Sequence, residues 1–248
     1  MRDTQKKINV TLPVWNEIDC LTNSLALVRD HLTGHDLNWE ITIADNGSTD
    51  GTRELARELS EGDSRISLVT LPEAGRGDAL RAAWLASDAA ILTYMDVDLS
   101  TDLASFSALV EPLIDGRADI VVGSRLLSES DTERCWQREL ISRTYARLTR
   151  LVMALPVSDF QCGFKAITLN VASTLLPLTT DRGWFFDTEL LAIGHRLGYT
   201  IDEIPIRWRE DRSSKVRILN TAWEDLKGLG RLRWAFERGD YLNCENRS

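Results

Sequence analysis

Short apolar runs recur along the first half of the chain, each closed by a polar, glycine-containing turn and followed by an amphipathic stretch. Ile8 to Leu12 alternates as a strand does. Pro13, which lacks an amide hydrogen, ends ladder pairing there, and a helix can run from about Ile18 to His31. Trp39 to Ala44 predicts a second strand, leading into Asp45-Asn46-Gly47-Ser48-Thr49-Asp50-Gly51-Thr52. Gly47 and Gly51 permit its turns, and Ser48, Thr49 or Asp50 can cap a helix reaching Leu59. Ile66 to Leu71 predicts a third strand, followed by Gly75-Arg76-Gly77 and a helix to about Leu85. Ala89 to Met95 is a fourth strand, with a helix from about Leu103 to Ile114 behind it. Ala118 to Val122 is a fifth, ending in Gly123-Ser124-Arg125. Strands alternating with helices predict a mostly parallel, doubly wound α/β sheet with helices on both faces. Every polar motif of this half falls at the C-terminal end of a strand, the edge where open α/β sheets bind ligands.

The second half changes character. Residues 134–153 predict a helix in which Arg134, Arg138, Arg143, Arg147 and Arg150 face only Glu139, five cations against one anion over 134–150. A solvated helix face would carry more acidic partners at i, i+4 spacing. Asp159-Phe160-Gln161-Cys162-Gly163-Phe164-Lys165 reads as a glycine-centred turn in an apolar setting. Trp184-Phe185-Phe186-Asp187-Thr188-Glu189 opens another helix, and Thr200 to Ile206 is a strand. A basic segment containing Ser213-Ser214-Lys215 precedes a last helix from about Ile218 to Arg238. Residues 204–238 carry nine basic and five acidic side chains, interleaved with Ile218, Trp223, Leu226, Leu229, Leu232, Trp234 and Phe236. That pattern suits an amphipathic helix at a membrane interface, or one packed on the rest of the chain. With no repeat or linker, the expected organisation is one domain over 1–217 (halves 8–125 and 126–217) and a C-terminal amphipathic extension over 218–248.

Composition narrows the class. At 248 residues and 43% hydrophobic content the chain can bury one full core. Its net charge of −9 argues against bulk attraction to nucleic acid. No apolar run approaches the roughly 18–20 residues that span a bilayer. The first seven residues show no secretory apolar core, and the four cysteines are scattered, so reduced thiols and a cytoplasmic location are expected. Asp96-Val97-Asp98 closes the fourth strand. In an extended chain these carboxylates share one side, and two hard oxygen donors suit Mg²⁺ or Mn²⁺ completed by substrate phosphates. The plainer account is a solvated pair ahead of a helix cap. Gly75-Arg76-Gly77 lacks the third small residue of a dinucleotide fingerprint and follows the third strand, so an NAD fold is rejected. Its helix-start amides, with Arg76, could still hold a phosphate. His31 and His35 read as a frayed helix end. With three histidines and no Gly-x-Ser-x-Gly elbow, serine-hydrolase chemistry is unsupported.

Taken together, Pro13-Val14-Trp15-Asn16-Glu17, the 45–52 loop, Gly75-Arg76-Gly77, Asp96-Val97-Asp98 and Gly123-Ser124-Arg125 resemble the family-2 glycosyltransferases of GT-A fold. The segments at 159–165, 184–190 and 204–208 resemble the polyprenyl-phosphate (dolichyl-phosphate) sugar synthases, nearer the glucosyl than the mannosyl branch. Asn46 and Arg76 depart from the usual acidic residue and lysine of that pattern. The resemblance implies a nucleotide-sugar donor, UDP-sugar ahead of GDP-mannose. Pro13, Trp15, Glu17, Asp45, Gly75, Arg76, Asp96 and Val97 would lie on the donor side, with Asp96 and Asp98 on the metal. It implies a polyprenyl phosphate acceptor held by Arg125, Arg138, Ser142 and Lys215, with Asp98, Arg125 and Arg138 carrying the chemistry. The acceptor, already an oxyanion near neutral pH, needs a cationic cradle in place of a base. Single-step attack would invert the anomeric centre. A lipid acceptor implies peripheral docking on the inner face of a membrane, with an integral membrane partner as a further expectation. The rivals are a family-2 enzyme acting on a hydroxyl, for which Asp159 or Asp187 would be the base, a non-catalytic nucleotide-sugar binding subunit, and a sugar nucleotidyltransferase.

Overall fold

The computed structural model describes residues 6–35, 37–210 and 218–241. The chain runs β1 (Ile8–Val14), α1 (Leu21–Gly34), β2 (Trp39–Asn46), α2 (Thr52–Gly62), β3 (Ile66–Leu71), α3 (Arg76–Ala86), β4 (Ile91–Met95), α4 (Phe106–Ile114) and β5 (Ile120–Ser124). It continues with β6 (Asp131–Glu133), α5 (Trp136–Met153), β7 (Phe164–Thr168), α6 (Leu169–Leu175), α7 (Phe186–Arg196), β8 (Ile201–Pro205), β9 (Arg207–Arg209) and α8 (Ile218–Arg238). Seven strands form one sheet in the order β3-β2-β1-β4-β7-β5-β8, and β6 pairs with β9 in a small second sheet.

The sheet is parallel except for β7, which runs antiparallel to both β4 and β5. This strand, together with β6, β9 and α6, is absent from the sequence reading, which took residues 159–165 as a turn. The turn is there, but it stops at Gly163. Lys165 then disguises a buried strand as polar, because its ammonium is paired inside the core. A second correction concerns β1, which continues through Pro13 to Val14. Beyond Thr11 its ladder is to β2 alone, so the amide that proline lacks has no partner to disappoint.

Side chains alternate between the two faces of the sheet, and both faces are apolar. Ile91 and Met95 join Val10, Leu12, Val28, Phe106 and Leu109 in one core layer under α1 and α4. Leu92 and Tyr94 join Leu80, Trp84, Phe186, Leu191 and Leu232 in the other, under α3, α6, α7 and α8. Burial on both sides is what a mostly parallel sheet covered by helices demands. At α2, Gly51 takes φ of 97° while Asp50 Oδ1 accepts the Thr52 amide at 3.0 Å, one of the three caps expected there. α8 is no loose appendage: Leu229 and Leu232 are buried, Arg231 reaches Glu189 at 2.7 Å, and a Cβ at Gly228 would lie 2.5 Å from the Phe185 ring.

Candidate active site

The C-terminal ends of β1, β2 and β4 meet at one edge. Asn16, in a left-handed turn after β1, accepts the Thr49 amide at 2.8 Å, and its own amide donates to Ser48 at 3.0 Å. This stitches the Trp15–Glu17 turn to the loop after β2. Asp45 is fully buried. Its two oxygens are spent on the Ser48 amide (3.0 Å) and Arg53 (2.7 Å), so the loop itself is what this carboxylate holds. Asn46 accepts a hydrogen bond from the Gly75 amide, tying the same loop to the start of α3. Trp15 is 43% exposed and Pro13 half-buried beside it, an open wall fit for a flat ring.

β4 stops at Met95, and the chain turns at once. The Leu99 amide bonds back to the Asp96 carbonyl at 3.1 Å, with Leu99 at φ of 51°. The extended geometry expected to align Asp96 with Asp98 therefore does not hold, because the two aspartates sit on a turn. Val97 between them is buried, and Asp98 is exposed with Oδ1 on the Ser100 amide at 2.9 Å. Asp98 also lies near Cys20. Burial and then Glu17 push the Cys20 thiol up to about 12, with Asp98 adding its charge. Asp96 keeps its carboxylate 41% exposed, with Oδ1 3.2 Å from Arg76. Gly163 backs onto it so closely that a Cβ there would fall 1.9 Å from Asp96 Oδ2.

Among the described residues no three His, Cys, Asp or Glu side chains gather to cage a cation. Asp96 and Asp98 offer hard oxygens at the cleft edge, and the close approach of Gly163 leaves the Asp96 carboxylate unobstructed. That donor set fits Mg²⁺ or Mn²⁺ drawing its remaining ligands from a diphosphate and water.

Behind Asp96 lies a buried ionic cluster. Arg76, 6% exposed, donates to Asp187 at 2.7 Å as well as to Asp96, and its guanidinium lies 4.7 Å from the Trp184 ring and 5.0 Å from that of Tyr94. Asp187 also accepts from Tyr94 and pairs with Lys165 at 3.2 Å. Burial alone would raise the Asp187 carboxyl, but Lys165 and Arg76 together hold it below its ordinary value. The helix-start amides expected to cradle a phosphate are already used: those of Gly77 and Asp78 donate to the Arg182 carbonyl at 2.9 and 3.4 Å. Arg76 is likewise committed to carboxylates.

Arg125, at the end of β5, grips Asp159 with Nε at 2.7 Å and Nη2 at 2.9 Å, and its backbone amide adds a third bond at 3.1 Å. Burial opposes the Asp159 charge, yet Arg125 outweighs it and keeps the carboxyl low. Trp208 is approached by Arg134 as well. The two guanidinium carbons are 5.6 Å (Arg125) and 5.3 Å (Arg134) from that indole. The Arg134 side chain is 8% exposed; among the described residues its Nε and Nη1 make no hydrogen bond, and Nη1 forms a long ion pair with Glu139 at 3.6 Å. Burial and then Arg125 lower its pKa. The sequence reading counted Arg134 among five arginines but did not single it out. Its distinction comes from Trp208, seventy-odd positions along the chain, and no local signal carries it. Ser142 is half-buried on α5. The side chain of Arg138 and all of Lys215 lie outside the described residues.

The glycosyl transferase family 2 model matches residues 10–176, more than half the chain. The chain belongs to that family. Similar members are the glycosyltransferase AglD of Haloferax volcanii, 32% identical over 90% of this chain and 36% of AglD, and a dolichyl-phosphate beta-glucosyltransferase of Trichomonas vaginalis, 29% identical over 86% and 69%. The chain thus spans about a third of the length of the first relative. Glucosyl-3-phosphoglycerate synthase of Mycobacterium tuberculosis, solved with Mn²⁺, UDP and phosphoglyceric acid, superposes with a TM-score of 0.70 at 21% identity, covering 94% of this chain and 81% of that one. The chain therefore has the expected GT-A fold, with its α/β sheet presenting the Asp96 turn at the cleft.

Proposed function

We propose that the chain transfers a hexose or N-acetylhexosamine from a nucleotide-sugar, UDP-sugar preferred, to a polyprenyl phosphate, with inversion at the anomeric carbon. The observation that carries this reading is the state of Asp159 and Asp187. Both carboxylates that the sequence offers as the base for a hydroxyl acceptor are buried and locked to cations at 2.7 Å. A nucleophile arriving here must already be ionised, as a phosphate monoester is near neutral pH. Near Asp159, Arg134, whose Nε and Nη1 make no hydrogen bond among the described residues, would supply donors for such an anion. Arg125, Arg138, Ser142 and Lys215 are proposed to complete that cradle. The named activities of the Trichomonas vaginalis relative and of a Saccharomyces cerevisiae dolichyl-phosphate beta-glucosyltransferase, 24% identical over 96% of this chain, point the same way.

On the donor side, Pro13, Trp15, Glu17 and the loops fixed by Asp45 and Gly75 would receive the nucleoside, and Asp96 and Asp98 would hold Mg²⁺ or Mn²⁺ against the diphosphate. When bound, that ion supplies positive charge to the departing diphosphate. Arg76 holds Asp96 in place from behind. The acceptor phosphate oxygen forms the new bond to the anomeric carbon as the bond to the diphosphate breaks, the electron pair leaving with the diphosphate.

No described helix is long and apolar enough to cross a membrane. α5 and α8 pack together, with Arg233 donating to the Val152 carbonyl at 3.4 Å. They expose Trp136, Leu140, Leu151, Trp223, Leu226 and Trp234. Cations accompany these rings: Arg238 lies 4.3 Å from Trp234 and Lys227 5.5 Å from Trp223. Such a surface suits peripheral docking on the inner, anionic face of a membrane, where a lipid acceptor resides.

The decisive experiment incubates the protein with polyprenyl phosphate, Mg²⁺ or Mn²⁺ and a panel of labelled nucleotide-sugars. A metal-dependent labelled lipid is expected. Label appearing only on hydroxyl acceptors, or in no product at all, refutes the proposal.

A further inference from the structure

A cleft of about 620 Å³ opens between residues 180–185 and α8, lined by Asp181, Trp184, Phe185, Glu224, Asp225 and Arg231 among others. Its polar groups are nearly all spoken for. Arg231 is committed to Glu189 at 2.7 Å and to Thr180, and Asp181 Oδ1 takes the Gly183 amide at 2.8 Å. Asp225 is the exception. It is 3% exposed, its Oδ2 accepts from Gln161 Nε2 at 2.7 Å, and its Oδ1 is buried with no partner among the described residues. A buried carboxylate oxygen left bare is costly, so it persists where something else supplies the donor. Burial pushes this carboxyl up to about 6, the expected signature of that cost.

The surroundings say what kind of donor fits. Arg231 and Arg182 line the same cleft, so its walls are not uniformly acidic as a cation pocket would be. Trp184 offers an indole that is 43% exposed, and on it rests Arg76, which reaches Asp96 at 3.2 Å. The cleft therefore adjoins the end where the diphosphate is proposed to sit. An aromatic wall beside a hydroxyl-seeking carboxylate is suited to a sugar ring.

We propose that Asp225 is a specificity-determining residue for the transferred sugar, its Oδ1 accepting a hydrogen bond from a hexose hydroxyl placed beside Trp184. This rests on the nucleotide-sugar reading above. The site lies on α8, outside the region matched by the family model.

The test compares wild type with Asp225→Asn, and with Asp225→Ser should the amide repack. Calorimetry with Mn²⁺ measures affinity for UDP, UDP-glucose, UDP-N-acetylglucosamine and singly deoxygenated UDP-glucose analogues; turnover is followed in parallel. The expected result is a roughly ten- to hundredfold loss of preference for the best UDP-sugar over one deoxy analogue, with UDP affinity unchanged. Undiminished preference in both variants overturns the inference and leaves the transferase reading intact. A collapse of turnover with preference preserved also overturns the inference; it would make Asp225 a base and count against the phosphate acceptor proposed above. If wild type binds no UDP-sugar, the transferase reading falls, and the inference falls with it.

Discussion

Three buried aspartates live in three different electrostatic settings, and each sets a different response to mutation and pH. Asp159 and Asp187 are held below their ordinary pKa of 3.8 by cations that overcome burial. The stability they contribute is fully present above pH 3.8 and is lost as pH falls through their lowered values. Asp225 is shifted the other way, from 3.8 to about 6, so its contribution is favourable at low pH and is lost as pH rises toward 6. At neutral pH that shift costs on the order of 3 kcal/mol. Asp225→Asn should therefore melt higher than wild type at pH 7 and lose the advantage below pH 4. Asp159→Ala does the reverse: it strands the Arg125 guanidinium and should cost roughly 3–5 kcal/mol in chemical denaturation. Replacing both Arg125 and Asp159 with apolar residues should cost much less.

At the scale of elements, the turn after β4 depends on a neighbour that is missing a side chain. A Cβ at Gly163 would press on both Asp96 oxygens, at 1.9 and 2.5 Å. Gly163→Ala must then swing a surface-reaching carboxylate aside while leaving the backbone conformation permitted. Metal-dependent UDP affinity, measured by calorimetry, should fall tenfold or more, with the melting temperature nearly unchanged. The same region marks where the sequence stopped being readable. The order of strands and helices in the first half, the polar motifs at the strand ends and α8, whose limits match the reading residue for residue, follow from local pattern. β7 does not, because Lys165 is polar in sequence and buried in fact. Nor does the pairing of Arg125 with Asp159, or of Arg76 with Asp187: partners 34 and 111 positions apart meet only through the sheet order. The helix-start amides of α3 misled for the same reason, since the Arg182 carbonyl that occupies them arrives from the far half of the chain.

For the molecule as a whole, charge and apolar surface are distributed against its net −9. The face of α5 and α8 with Trp136, Leu151 and Trp234 exposed should bind vesicles containing anionic lipid in preference to neutral ones. Binding should weaken in high salt without vanishing, because the rings contribute independently of charge. Trp136→Ser with Trp234→Ser should lower co-sedimentation severalfold while leaving transfer to a short, soluble acceptor phosphate near wild type. Equal binding to neutral vesicles would remove the electrostatic part of this account.

The reversed strand at the middle of the sheet also bears on how the chain comes off the ribosome. β1 to β4 can zip together as they emerge, each finding a neighbour already made. β5 cannot: its ladder partners are β7 and β8, and it ends at Ser124 while β7 begins only at Phe164. Through the synthesis of the arginine-rich helix, Ile120 to Val122 wait as an apolar strand with both edges open, and that interval is when a nascent chain most needs a chaperone's cover.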